Sequence, residues 1–85
     1  MEDPPEDAGA GGPFVVVDAR GHRCPVPTLR LRRALEGAAP GTRVLLMADD
    51  QMARIDVPHF LSENGHLLVE SSHSGEVLRF LVEKG

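Results

Sequence analysis

The residue with the most chemistry to offer is Cys24, the one cysteine of the chain, set in the run Arg20-Gly21-His22-Arg23-Cys24-Pro25-Val26-Pro27. A lone thiol forms no intramolecular disulfide and supplies no cysteine-rich zinc site, and there is no second cysteine to resolve a mixed disulfide as in a Cys-x-x-Cys oxidoreductase. The two prolines suit the first turn of a helix, where orphan N–H groups make a missing donor harmless. That reading makes Cys24 the cap, Pro25 the first and Pro27 the third helical position. The sulfur would then face the positive end of the helix dipole, with Arg20, Arg23 and His22 on the preceding loop, and all of these favour thiolate over thiol. The expectation is an exposed cysteine of lowered pKa. A buried structural cysteine, the common fate of a free thiol, is the competing reading.

Other residues offer less. His22 and Cys24 make two metal ligands with nothing nearby to complete a set, so no metal site is expected. Asp49 and Asp50 could hold a hard cation, but a helix cap accounts for them more simply. A protease-like pairing of Cys24 with His22, His59, His66 or His73 lacks room for an oxyanion hole and a cleft. On the first helix, a rotation of 100° per residue sets Val26, Leu29 and Arg33, flanked by Arg30 and Arg32, opposite the stripe of Leu31 and Leu35. Apolar residues ringed by arginines beside a thiol suggest a surface that docks a partner; packing of Leu29 against a neighbouring element would explain it equally well.

The elements that must position these residues follow from the pattern. Phe14–Val17, ending at Asp18, is a β-branched run too continuous to alternate, which predicts a strand covered on both faces or lying mid-sheet. A helix follows from Cys24 to about Gly37, with Leu31, Ala34, Leu35 and Ala38 on one side. Pro40-Gly41 turns into a second strand, Arg43–Ala48, and a second helix from Asp49-Asp50 to about Asn64 places Ala53, Val57, Phe60 and Leu61 on one face. Pro58 would kink that helix or divide it, with Asp56 as a fresh cap. Asn64-Gly65 closes it, and His66–His73 with Glu76–Lys84 form a hairpin across Ser74-Gly75. The order βαβαββ predicts a two-layer α/β sandwich: a mixed four-stranded sheet with both helices on one face.

Length and charge set the limits. The chain has 85 residues, enough for one domain. Residues 1–13 hold Glu2, Asp3, Glu6 and Asp7 without a basic residue. They read as a disordered acidic tail before a domain of residues 14–85. The tail accounts for the whole formal charge of −4. Beyond it basic and acidic residues balance, yet Arg20, Arg23, Arg30, Arg32 and Arg33 fall together with no acid among them. Such a patch attracts an anionic partner, although a pI near 5.4 argues against general nucleic-acid binding. No signal-peptide pattern or apolar run near the roughly 20 residues that span a bilayer is present. The expectation is a cytoplasmic monomer, not membrane-bound, whose thiol stays reduced.

With these residues in place, the sequence resembles the TusA family of small sulfur carriers, also known as SirA. The likeness rests on Asp18-Ala19-Arg20-Gly21-His22-Arg23-Cys24-Pro25-Val26-Pro27, on Ala48-Asp49-Asp50 and on Asp56-Val57-Pro58, and extends over nearly all of residues 14–85. It implies the same βαβαββ sandwich and a sulfurtransferase whose Cys24 carries sulfur as a persulfide. It further implies a cysteine desulfurase as donor, a downstream sulfur-acceptor protein serving tRNA thiolation or another pathway such as molybdenum-cofactor biosynthesis, and no cofactor. The alternative is a non-catalytic regulatory module that uses the basic first helix to bind protein or RNA.

Overall fold

A computed structural model describes residues 14–85; the acidic segment 1–13, expected to be a tail, lies outside the described residues. The elements run β1 (Phe14–Asp18), α1 (Val26–Glu36), β2 (Arg43–Ala48), α2 (Ala53–Glu63), β3 (Leu67–Ser74) and β4 (Val77–Glu83). The four strands form one mixed sheet in the order β1-β2-β4-β3. β1 and β2 are parallel, whereas β4 pairs antiparallel with both β2 and β3. This is the expected α/β sandwich.

Alternation along the central strands fixes the inner face. Val44, Leu46 and Ala48 of β2 and Leu78, Phe80 and Val82 of β4 are buried, while the residues between them are half-buried on the uncovered side. Against that inner face α1 lays Leu31 and Leu35 and α2 lays Ala53, Val57 and Leu61, each set at helical spacing. Leu31 and Leu35 are almost wholly buried, so truncating either to alanine would cost about 2–5 kcal/mol. The two helices also touch each other, and this closes the helical layer.

Three expectations need correction. β1 is an edge strand rather than a covered or central one, and Val15 and Val16 stay exposed, because β2 takes the inner place beside β4. An unbroken apolar run does not distinguish a covered strand from an edge whose outer side is left to other contacts. The first helix starts later than expected: Pro25 is the cap, Val26 the first helical residue and Pro27 the second, so Cys24 precedes the cap. The Cys24–Pro25 peptide is cis. Finally, α2 runs unbroken through Pro58, and Asp56 sits in its first turn instead of capping a second helix.

Candidate functional site

The site is assembled where the two parallel strands end. Because β1 and β2 run the same way, with Asp18 opposite Met47, the loop after β1 and the turn after β2 emerge side by side. The Ala19 N–H donates to the Met47 carbonyl at 2.8 Å. Beyond that point the aspartates at the end of β2 take over. The Gly21 N–H lies 3.0 Å from both carboxylate oxygens of Asp49. Asp50 accepts the Cys24 N–H at 2.9 Å on one oxygen and the Met52 N–H at 3.0 Å on the other. One carboxylate thus ties the cysteine to the turn that starts α2. Gly21 has φ of +85°, a backbone geometry that a β-carbon disfavours, and this allows its N–H to turn towards Asp49.

The cation reading of Asp49 and Asp50 gives way here to backbone strapping. The expected cap is corrected too: α2 is capped by Met52 without a side-chain hydrogen bond, and Asp50 instead accepts the Met52 N–H just ahead of the helix while its other oxygen reaches 26 residues back to the thiol loop. The two N–H groups hold the Asp50 carboxyl below the ordinary carboxylate value, Met52 contributing more than Cys24.

The surroundings of the thiol differ from what the neighbouring arginines suggested. Cys24 is half-buried and packs against the edge of the core. Burial pushes the thiol pKa up, the Asp56 carboxylate beside it adds to the rise by hydrogen bonding and charge, and Asp50 adds a smaller push. The structure thus presents a half-buried thiol pushed upwards where an exposed one of lowered pKa was expected. Arg20 does not support a thiolate because Asp18 has taken it: its guanidinium donates to both Asp18 oxygens at 2.9 and 2.8 Å. That pairing holds the Asp18 carboxyl down at about 2. Arg23 is exposed and its charge acts on Asp50. His22 is likewise exposed on the loop.

One group does favour the thiolate. The Thr28 hydroxyl, one turn into α1, opposes the upward shift. Its Oγ1 is buried and closes no hydrogen bond of good geometry among the described residues, so it lies beside the sulfur as a donor still to be satisfied. Pro25, Thr28, Asp56, His59 and Phe60 line a shallow depression between the start of α1 and α2. Thr28 escaped sequence reasoning. Asp56 was read as a possible helix cap and as part of the Asp56-Val57-Pro58 stretch that carried the family resemblance, but not as a neighbour of the thiol.

The arginine-ringed face is partly as expected. Val26, Leu29, Arg30 and Arg33 join Val16 and Val17 of the β1 edge around a groove of about 650 Å³. Leu29 and Val16 are each about half exposed there, at 53% and 52%. Arg30 also donates to the Asp18 carbonyl at 3.2 Å, which ties the helix to the end of β1. Arg32 does not belong to the groove; it turns to Glu36 one helical turn on, at 3.1 Å.

Comparison with known proteins gives this geometry its context. The family described as Sulfurtransferase TusA matches residues 15–84. The chain belongs to the TusA family. A solved SirA-like protein from Desulfitobacterium hafniense is similar in fold, with a TM-score of 0.73 and 26% sequence identity over 84% of this chain and 97% of that one. The TusA match takes in the thiol loop, Asp49-Asp50 and Asp56 together, so a sulfurtransferase and sulfur-carrier role is supported at the level of the family. Among the described residues no helix is long and apolar enough to cross a membrane.

Proposed function

We propose that Cys24 accepts a sulfur atom from the persulfide of a cysteine desulfurase and passes it to an acceptor protein, in tRNA thiolation or another sulfur pathway such as molybdenum-cofactor biosynthesis. The observation that carries this reading is a single thiol fixed by its own backbone N–H to Asp50, at the start of α1, within the region matched to the sulfurtransferase family.

The transfer follows from these parts. Cys24 must first lose its proton, a loss that its burial and the Asp56 carboxylate beside it resist. The thiolate then attacks the terminal sulfur of the donor persulfide. A new S–S bond forms to Cys24 as the old one breaks, and the donor cysteine leaves as a thiolate carrying the electron pair of the broken bond. The product is a Cys24 persulfide, ionised more readily than a thiol. Its anion lies near the N-terminal end of α1, with the Thr28 hydroxyl beside it as a donor. Delivery to the acceptor repeats the exchange in the other direction. No step draws on a metal or a cofactor of this chain.

Val26, Leu29, Arg30 and Arg33 form the docking face for an acidic donor surface in this reading, and Arg32 acts at its margin. The carrier works as a cytoplasmic monomer. Intact mass spectrometry after incubation with a cysteine desulfurase and cysteine tests the proposal: a gain of about 32 Da, one sulfur, reversed by a thiol reductant and missing in Cys24→Ser. The groove on α1 favours a second reading, in which the chain binds a partner and transfers nothing. A Cys24→Ser chain that keeps both binding and biological function would make that reading the better one.

A further inference from the structure

The groove beside α1 is apolar on its floor and cationic on its rim. Among the described residues neither Arg30 nor Arg33 has a carboxylate partner, in contrast to Arg20, Arg32 and Arg43, which are paired with Asp18, Glu36 and Glu83. Four carboxylates, Glu2, Asp3, Glu6 and Asp7, stand together in residues 1–13, where no basic residue offsets them.

Connectivity brings the two together. α1 runs back along β1: Arg30 reaches the carbonyl of Asp18 at the strand's far end, and Arg33 and Ala34, a turn later, face Val16 and Val17. The chain therefore joins β1 at Phe14 beside the later turns of α1, on the side of Arg33. Asp7 lies seven residues before Phe14, a span of up to about 23 Å at ~3.3 Å per residue, against a longest extent of 31 Å for the fold. Every acid of the segment can reach the groove without crossing the molecule.

We infer that residues 1–13 are the groove's own occupant: the acidic segment docks on Arg30 and Arg33 and masks the face until a partner displaces it. A segment tethered at this distance meets the arginines at an effective concentration of order millimolar, so individually weak ion pairs suffice to hold it. The contact is electrostatic, because between residues 2 and 12 the segment has no apolar side chain larger than alanine apart from its prolines. It leaves Leu29 and Val16 uncovered. A partner presenting carboxylates together with an apolar side chain gains both contacts and displaces the segment, whereas one with charge alone competes on equal terms. The masking thus selects among anionic partners. Its consequence for sulfur loading rests on the docking reading above; the contact itself does not.

The test uses the full chain. Glu2→Gln, Asp3→Asn, Glu6→Gln and Asp7→Asn together remove the charge of the segment without shortening it. Amide resonances of Leu29, Arg30 and Arg33 are expected to differ between the wild type and this variant at low salt. The difference should vanish in 1 M NaCl, where the screening length is about 3 Å. It should also vanish when both chains carry Arg30→Gln and Arg33→Gln. Differences confined to the segment and the first residues of β1, or located at Arg20 and Arg23 instead, overturn the inference. With a cysteine desulfurase present, neutralising the segment should speed sulfur loading several-fold at low salt. If the resonances respond and loading does not, the contact stands and the groove is not the donor's docking face.

Discussion

The two ends of the sheet are closed by different means. At the end where β1 and β2 finish, side-chain carboxylates hold the loops: Asp49 on Gly21, and Asp50 on Cys24 and Met52. At the opposite end, main-chain groups do most of this work. Gly41 N–H donates to the Lys84 carbonyl at 2.9 Å, Lys84 N–H to the Thr42 carbonyl at 2.8 Å, and His66 N–H to the Leu61 carbonyl at 3.0 Å. The Lys84 ammonium adds a bond to the Leu35 carbonyl at the C-terminal end of α1, where a cation suits the helix dipole. Main-chain bonds tolerate almost any side chain. Carboxylate straps demand particular residues and fix the loop that carries the thiol. The chain uses the demanding solution where its thiol is.

The largest effect that would break this contrast is expected from Asp50→Ala. It removes two N–H acceptors at once, freeing Cys24 and the approach to α2 together. Sulfur loading should fall at least tenfold and the melting temperature by several degrees, read by mass spectrometry and thermal unfolding. A variant that loads at the wild-type rate would show that the strap does not position the thiol. Asp56→Asn should work in the opposite sense on reactivity. With the carboxylate gone, the burial contribution remains and the thiol pKa falls part of the way back. Iodoacetamide alkylation at pH 7.5 should quicken several-fold, and an unchanged alkylation midpoint would remove Asp56 from the account. At the other end, Lys84→Met should cost about 1 kcal/mol through the lost charged hydrogen bond and leave alkylation of Cys24 unaltered.

What was legible in the sequence follows the same division. Leu31 and Leu35, or Val44, Leu46 and Ala48, announce their element by spacing, because burial on one face imposes a period within a few residues. The strand order that puts β1 at an edge has no such local imprint. At the site, nearness in sequence misled: Arg20 and Arg23 flank Cys24, yet Arg20 is held by Asp18 and the strongest charge on the sulfur comes from Asp56, 32 positions on. That Asp50 serves the start of α2 was legible because such contacts are local, although Met52 and not Asp50 is the cap. Its bond to Cys24 was not, since only the parallel pairing of β1 with β2 brings the two loops together.

The smallest expected effect separates the two ends by pH. At the far end, His66 accepts the Gly85 N–H on Nδ1, and its pKa is lowered from the ordinary 6.5 by burial and, less, by the Lys84 charge. A base lowered in the folded state binds fewer protons there than in the unfolded chain, so it contributes nothing to the pH dependence well above 6.5. It destabilises as pH falls from 6.5 through the folded value. At the thiol end, Asp18 and Asp50 are acids lowered from 3.8, Asp18 to about 2 by the Arg20 hydrogen bonds. Their contribution is complete above 3.8 and is lost as pH falls from there towards 2. Acidification should therefore act on the molecule in two stages. The amide resonances of Gly85 and His66 should move first, below pH 6.5, while those of Cys24 and Met52, held by Asp50, stay until the pH drops under about 4. If both sets move together near pH 6, the Asp50 strap is not what holds the loop, because its lowered carboxyl gains no proton there.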